Sequence, residues 1–491
     1  MTGKLPVAVR DKFYLTTTLP YVNAPPHIGF ALEMVQADIL ARYNRLLGRE
    51  VFFNTGTDEH GLKIYRAAQK EGKEPQDYVD EYATKFDRLK EALNLSYNNF
   101  IRTTDKHHIK AAQEFWKLCD KNGDIEKKLY QVKYCVECEL EKSESELNHG
   151  KCIVHPHAEI EIIEEENYFF KFSTYQEKLL NLYKERLDFV VPESRFNEIK
   201  KFVERGLEDF SISRLKEKMP WGIPVPGDDE HVMYVWFDAL INYISAVGWP
   251  DRMDEFEKWW PVVQLAGKDQ VRQQAAMWQA MLMSAGIPPS EQIVIHGFIT
   301  SGGKKMSKSL GNVIDPFEIV DKYGPDAVRY YLARHIHPFE DSDFTEEKFR
   351  AAYNAHLANG LGNLVGRIMK MVVDLEVRAE FPEFKKVIQH PQIGVGESLE
   401  QLEQYEFNKV MEDIWGEQQG VSFLDHFIQR EKPFSLMKSD PPRAKELIEA
   451  AVIKLWYIAI MLQPFMPDTA QKIQNAILEN KMPEPLFPRL E

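Results

Sequence analysis

Apolar and polar positions along residues 1–120 repeat in a rhythm of strand, polar loop and helix. Phe13–Leu19 is an apolar, β-rich run that ends in a turn through Pro20, Asn23, Pro25 and Pro26. A helical pattern runs from Gly29 to Leu47. Val51–Asn54 is a second short apolar run, and it opens into the polar loop Thr55–Gly61 before another helix. This repetition predicts a parallel α/β sheet. In such sheets ligands bind beyond the carboxyl ends of the strands, where both polar loops fall.

Between 121 and 227 the rhythm breaks. A cysteine cluster comes first, then the acidic run Glu159–Glu166, the aromatic strand Asn167–Phe172 and a helix over Glu193–Arg205. This stretch reads as an insertion with its own small fold. Near His231 the α/β pattern resumes, with strands expected at His231–Trp236, Val262–Ala266 and Gln292–His296 and helices at Phe237–Val247 and Lys268–Ala285. The Gly/Lys/Ser-rich loop Ser301–Asn312 follows. Asp315-Pro316-Phe317-Glu318 then reads as an N-cap, an N1 proline and a capping-box glutamate. From Glu346 to the end the pattern is almost wholly helical, with Pro/Gly breaks at 382–396 and 440–442. The predicted segments are therefore 1–120, 121–227, 228–300, 301–345 and 346–491.

Composition narrows the function classes. The 491 residues carry 61 Lys+Arg against 76 Asp+Glu, a formal net charge of −15. That excludes coating a nucleic acid by bulk charge, but not docking one through a local surface. Four cysteines are too few for a secreted disulfide framework. The N-terminus lacks the apolar run of a signal peptide, and no stretch approaches the ~18 apolar residues of a membrane span. The expectation is a cytoplasmic protein.

Three clusters carry candidate chemistry. His27-Ile28-Gly29 sits where a strand gives way to a helix, and a helix N-terminus attracts phosphate through free N–H groups and its dipole. Lys305-Met306-Ser307-Lys308-Ser309, behind Gly302-Gly303, puts two lysines on a glycine-hinged loop that can clamp a polyphosphate. Taken singly, each is as readily a plain loop. Cys135-x2-Cys138 and Cys152-x2-His155 have the spacing of two knuckles closing a tetrahedral Zn²⁺ site. His149 and His157 compete for the fourth position, and the x2 spacing favours His155.

Together and in this order, the first two clusters resemble the HIGH and KMSKS signatures of class I aminoacyl-tRNA synthetases. Thr18–Asn23, Gly56–Gly61, Tyr234–Ala239, Gly267-Lys268-Asp269 and His296-Gly297-Phe298 are similar to motifs of the methionyl-tRNA synthetases within that class. The resemblance implies a Rossmann-type parallel-sheet catalytic domain in two halves, 1–120 and 228–300, split by a zinc-bearing connective insertion at 121–227. It implies a KMSKS and stem-contact region at 301–345 and an α-helical anticodon-binding domain at 346–491.

The resemblance also implies the chemistry: ligation of methionine to tRNA(Met) through methionyl-adenylate, with ATP and Mg²⁺ as co-substrates and one structural Zn²⁺. His27, Lys305 and Lys308 would handle phosphate, with Gly29, His296 and Gly297 contributing to the ATP site. Leu19, Tyr21, Trp236, Ala239 and Tyr243 would line the methionine pocket, Asp58 would pair with the ammonium, and Asp269 and Gln274 would shape the site. Helix capping is the plainer role for Asp269. Asn363 and Arg367, four apart on one helix face, and Phe434 would read the anticodon. The family's appended dimerising module has no counterpart after the helical segment, which implies a monomer.

Two departures stand out. Phe30 replaces the second HIGH histidine and cannot donate a hydrogen bond. Gln273-Gln274 replaces an aromatic-histidine pair, although Gln274 retains hydrogen-bonding capacity, with Tyr243 a candidate partner. The alternatives are a relative for another apolar amino acid, whose large editing insertion this insertion is too small to supply, and an inactive paralogue that only binds tRNA.

Overall fold

The computed structural model describes residues 11–490 except 139, 143–146, 307–310, 384–385 and 387–394. Its frame is a six-stranded sheet in which every pairing is parallel. The strands lie in the order Asn99–Arg102, Glu50–Thr57, Lys12–Thr16, Val263–Gly267, Gln292–His296 and Val190–Val191. The chain starts at the centre, runs outward to one edge, and returns beside its first strand far later. That reversal between Lys12–Thr16 and Val263–Gly267 is a switch point, and it opens a crevice at the carboxyl ends of the strands.

Both faces of the sheet are covered, and its central strand Val263–Gly267 is buried throughout. On one face the helix Ile28–Leu46 packs into an apolar core that continues through the helix Pro325–Arg334 into the C-terminal helices. On the other, Tyr14, Phe115, Phe237 and Trp278 belong to a second core that reaches into the insertion. Arg329, fully buried, ties these parts together. It pairs with Asp38 of the first helix at 2.7 Å and donates to the carbonyls of Leu93, Pro464 and Phe465. Among the described residues no helix is long and apolar enough to cross a membrane.

Several expectations need correction. The strand expected at His231–Trp236 is Asp228–Met233, and it belongs to a small antiparallel sheet with Ser213–Leu215 and Pro224–Val225. Trp236 lies instead on a five-residue helix, Val235–Ala239. Alternation alone could not assign that strand to a sheet, because strand partners are tertiary. The acidic run does not merely precede a strand. Ile160–Phe170 pairs continuously with Ile125–Cys135, from Ile125 opposite Phe170 to Cys135 opposite Ile160. Glutamates fit there because the hairpin is solvated, and Lys127 reaches Glu166 diagonally across it at 3.7 Å. The edge strand Val190–Val191 was invisible in the pattern, being only two residues long.

Other expectations match closely. Gln292–His296 is a strand over those same residues, and Asp315 caps its helix by accepting from Phe317 N at 2.8 Å. The helix after Gly267 contains a wide π turn at Gln273–Met277, and a second lies at Tyr353–Gly362. Such turns re-aim side chains and recur at functional sites.

Candidate active site and metal centre

The crevice encloses a cavity of about 670 Å³. His27, Gly29, His296, Gly297 and Lys305 line it, as do Leu19, Tyr21, Asp58, Trp236, Ala239, Tyr243, Asp269 and Gln274. Every candidate for nucleotide and amino-acid contact that falls within the described residues thus meets in one place. Lys308 lies outside the described residues.

His27 is the N-cap of the first helix, and its Nδ1 accepts from Gly29 N at 3.1 Å. An accepting Nδ1 leaves the proton of the neutral ring on Nε2, a donor. Water reaches the ring, but the crowding walls of the cleft desolvate it and lower its pKa. Gly29 is needed for this arrangement, since a Cβ there would lie 2.9 Å from His27 Cε1 and 3.0 Å from Nδ1. The next residue, Phe30, turns its ring to Phe86 at 5.3 Å and joins the packing around Tyr78 and Ile64. It lines the cavity as an apolar wall.

A residue not singled out in the sequence holds the next layer. Glu33 is buried one turn into the first helix. Its carboxylate accepts from Thr18 N at 2.5 Å and Thr18 Oγ1 at 2.8 Å, and meets His296 Nε2 at 2.8 Å. His296 Nδ1 faces the Gly297 carbonyl at 2.8 Å. Both ring nitrogens therefore face acceptors. Burial works to lower the pKa of His296, but the Glu33 carboxylate outweighs it and raises it above the usual value. The imidazole is committed to the protein, so only the backbone of this segment remains for a ligand. Gly297 admits close approach of the 340–341 backbone: a Cβ would lie 2.3 Å from the Glu340 carbonyl. The signal for Glu33 was available, as an acidic residue inside an otherwise apolar helix.

The loop after Glu50–Thr57 carries Asp58, which pairs with Tyr21 as an isolated parallel bridge. Glu59 anchors that loop, taking Arg102 in a two-point contact at 2.7 and 2.9 Å. His60 reaches Asp238 at 2.7 Å, and the buried His108 reaches its other oxygen at 2.8 Å. Burial favours a neutral Asp238, yet the two histidines win and lower its pKa. This knot fastens the helix that bears Trp236 and Ala239 to the loop that bears Asp58. Gln274 Nε2 donates to Tyr243 Oη at 2.8 Å. Asp269 is not the helix cap, a place taken by Gly267. Its carboxyl stands in the cleft, where desolvation raises its pKa.

Lys305 ends the short strand Lys304–Lys305, paired with Ile299–Ser301. Its Nζ lies 5.9 Å from the Phe298 ring centroid. Asp343 braces the hairpin by accepting from Gly303 N at 2.7 Å. The start of the first helix is tied to the same region through Ile28 N to Ile314 O at 3.0 Å.

Cys135, Cys138, Cys152 and His155 bring their ligand atoms within 4.8 Å of one another. Cys138 Sγ lies 3.5 Å from Cys152 Sγ and 3.1 Å from His155 Nδ1. Zn²⁺ with bonds of about 2.3 Å to sulfur and about 2.0 Å to nitrogen spans such gaps. The donor set fits a closed structural Zn²⁺ site, and His155 rather than His149 or His157 completes it. Cys138 also lines the cavity, so the knuckle is one wall of the cleft. Lys63 to Glu137 at 3.3 Å ties it to the helix Leu62–Lys70. The fourth cysteine, Cys119, is buried, and desolvation pushes its thiol up to about 12.

In the helical part, Asn363 opens the helix Asn363–Asp374 and is exposed. Arg367 on the same helix pairs with Asp425 at 2.7 Å. Phe434 follows Pro433 at the start of another helix and is 51% exposed.

Known proteins can be compared with this geometry. The family model described as tRNA synthetases class I (M) matches residues 13–152 and 137–369, and the anticodon binding domain of methionyl tRNA ligase matches 385–486. A methionine–tRNA ligase of Thermotoga maritima is 41% identical over 96% of this chain and 76% of its own. One of Brucella suis is 40% identical over 95% and 92%. The solved Mycobacterium tuberculosis methionyl-tRNA synthetase in complex with methionyl-adenylate superposes with a TM-score of 0.88 at 35% identity, covering 98% of this chain and 99% of that one. Its free form gives 0.82 at 32% identity, over 98% of each.

Proposed function

The chain belongs to the methionyl group of class I tRNA synthetases, and from that premise we propose how its own residues divide the work of charging tRNA(Met) with L-methionine. The reaction has two steps. A methionine carboxylate oxygen attacks the α-phosphorus of ATP, and the bond to the bridging oxygen breaks to release pyrophosphate. The terminal ribose hydroxyl of tRNA then attacks the carbonyl of the adenylate, and AMP leaves. Neither step needs a protein nucleophile, so catalysis is positioning and charge stabilisation.

The observation that carries this reading is the single cavity on which His27, Lys305 and Asp58 converge with an apolar pocket. His27 Nε2–H donates to a phosphate oxygen, and Lys305 and Lys308 take charge that builds on the departing pyrophosphate. Gly29 and Gly297 let the nucleotide approach backbone, and His296, locked by Glu33, holds that backbone in place. Asp58 receives the methionine ammonium. Leu19, Tyr21, Trp236, Ala239 and Tyr243 enclose the side chain, with Asp269 and Gln274 shaping the rim. Mg²⁺ would arrive with ATP as part of that substrate. Zn²⁺ held by Cys135, Cys138, Cys152 and His155 would stiffen the knuckle wall. Asn363 and Arg367 contact anticodon bases, and Phe434 stacks on one.

ATP–pyrophosphate exchange measured with each amino acid tests the reading. Exchange with methionine is expected. Exchange with leucine and not methionine would defeat the specificity assignment, and tRNA binding with no exchange at all would favour an inactive paralogue.

A further inference from the structure

Among the described residues two lysines, Lys63 and Lys305, and no arginine line the cavity. The division of work above uses Lys305 and leaves Lys63 idle. Phe30 supplies no donor, and His27, with its lowered pKa, acts as a neutral one. The cleft takes two phosphate-bearing substrates in turn, ATP and then tRNA. It therefore holds a second fixed positive charge with no assigned task.

The place of Lys63 sets it apart from the nucleotide. It lies in the first turn of the helix Leu62–Lys70, which follows the loop of Asp58 at the carboxyl end of Glu50–Thr57. The His296-Gly297 segment, assigned to the nucleotide, follows Gln292–His296, the third neighbour of Glu50–Thr57 in the sheet. Three strand spacings amount to roughly 14 Å. Lys63 thus stands on the amino-acid side of the cavity. The wall beside it is the knuckle, since Glu137 and Cys138 line the same cavity. His155 of the knuckle lies within electrostatic reach of both lysines.

The partner that Lys63 has in this structure is replaceable. Its Nζ is 3.3 Å from the carboxylate of Glu137, a side chain that is 55% exposed. An ion pair so open to water is weak. A phosphodiester oxygen accepts as strong a charged hydrogen bond, and the flexible lysine stem lets the ammonium turn from one acceptor to the other. The second step of the reaction brings such a group. The terminal adenosine of tRNA must set its ribose hydroxyl on the adenylate carbonyl, and the phosphodiester that joins it to the preceding nucleotide enters with it.

We propose that Lys63 binds this last phosphodiester of tRNA, exchanging Glu137 for it as the 3′ end enters along the knuckle wall. The inference rests on the adenylate site assigned above. It divides the cations of the cavity by step: Lys305 serves the phosphates of ATP, and Lys63 serves that of tRNA.

The test loads the full chain with methionyl-adenylate, mixes it with tRNA(Met) and follows single-turnover transfer by rapid quench, with ATP–pyrophosphate exchange read on the same samples. Lys63→Met keeps the stem and removes the charge. Its transfer rate at subsaturating tRNA is expected to fall about ten- to hundredfold, the loss of one charged hydrogen bond, with exchange unchanged. Lys63→Arg should restore most of the transfer. Glu137→Gln removes the competing carboxylate and should speed transfer about twofold at subsaturating tRNA. A tRNA with an uncharged methylphosphonate in place of its last phosphodiester should slow the wild-type chain as much as Lys63→Met does, and should slow that variant no further. The wild-type arm carries the test should Lys63→Met not fold. A wild-type chain indifferent to the methylphosphonate overturns the inference. So does unchanged transfer in Lys63→Met, or a methylphosphonate effect that multiplies with that of the variant. Loss of exchange in Lys63→Met that Lys63→Arg restores would put the lysine on ATP and overturn it as well. A wild-type chain that gives no exchange with methionine overturns the functional reading itself, and the inference with it.

Discussion

Glu33→Ala removes the acceptor on which three donors converge: Thr18 N at 2.5 Å, Thr18 Oγ1 at 2.8 Å and His296 Nε2 at 2.8 Å. The hydroxyl can turn elsewhere. The Thr18 amide and the His296 ring are buried and cannot, and each orphaned donor costs about 1–3 kcal/mol. His296 would shed its proton rather than remain a lone buried cation. With the void left by the side chain, the expected loss is about 3–5 kcal/mol. Glu33→Gln keeps the shape. Its Oε1 accepts from Thr18 and its Nε2 donates to a neutral His296 that still donates from Nδ1 to Gly297, so the loss should stay near 1 kcal/mol. The two variants also differ in pH dependence. The folded pKa of His296 lies above its usual value of 6.5. The pair therefore contributes its full stability below about pH 6.5, and loses it as pH rises through the raised value. The gap between wild type and Glu33→Gln should be widest in acid and close in base. The assay is the urea concentration that halves exchange activity, with samples unfolded at about pH 6 or about pH 9 and read in one standard buffer. A Glu33→Ala enzyme as resistant as wild type, or a wild-type-to-Gln gap equal at both pH values, would refute the reasoning.

Other substitutions probe the remaining parts. Lys305→Ala should slow adenylate formation by about 10²–10³-fold while leaving methionine affinity unchanged, as stopped-flow rates and equilibrium binding would show. Gly29→Ala puts a Cβ 2.9 Å from His27 Cε1, so it should unseat the cap and reduce exchange as far as His27→Ala does; a Gly29→Ala enzyme with full activity would contradict the packing. Cys135→Ser should abolish bound zinc by metal analysis and expose the insertion to protease, while a knuckle that stays protease-resistant without metal would rule out a structural role for the ion. Arg367→Ala should weaken aminoacylation of tRNA(Met) and leave exchange intact; equal loss of both would remove it from the anticodon surface.

The apolar run within Gln292–His296, the helix after His27 and the paired spacings Cys135-x2-Cys138 and Cys152-x2-His155 were legible because each is local. The cap of a helix is set within a few residues, and so is the bite of a knuckle. The strand expected at His231–Trp236 shows where this ends, since a short β run looks the same whichever sheet it joins. Likewise His27 could be nominated from its place before a helix, and Asp58 only through the family resemblance. That they face one cavity with Tyr243 and Lys305 depends on the sheet reversing beside Lys12–Thr16.

The residues that lock the site stayed hidden for the same reason. Glu33 meets His296 across 263 positions of sequence, and His108 meets Asp238 across 130. No periodicity or spacing links such partners. By itself the sequence determined the parallel-sheet class, the inserted knuckle, the helical C-terminal part and the residue types able to handle phosphate and zinc, because those follow from local pattern and intrinsic chemistry. Only the tertiary structure decided which acceptors His27 and His296 meet, and so where their protons lie. A proton's place on a buried ring or hydroxyl is set by whichever acceptors and donors the fold brings against it, and those come from distant strands and helices.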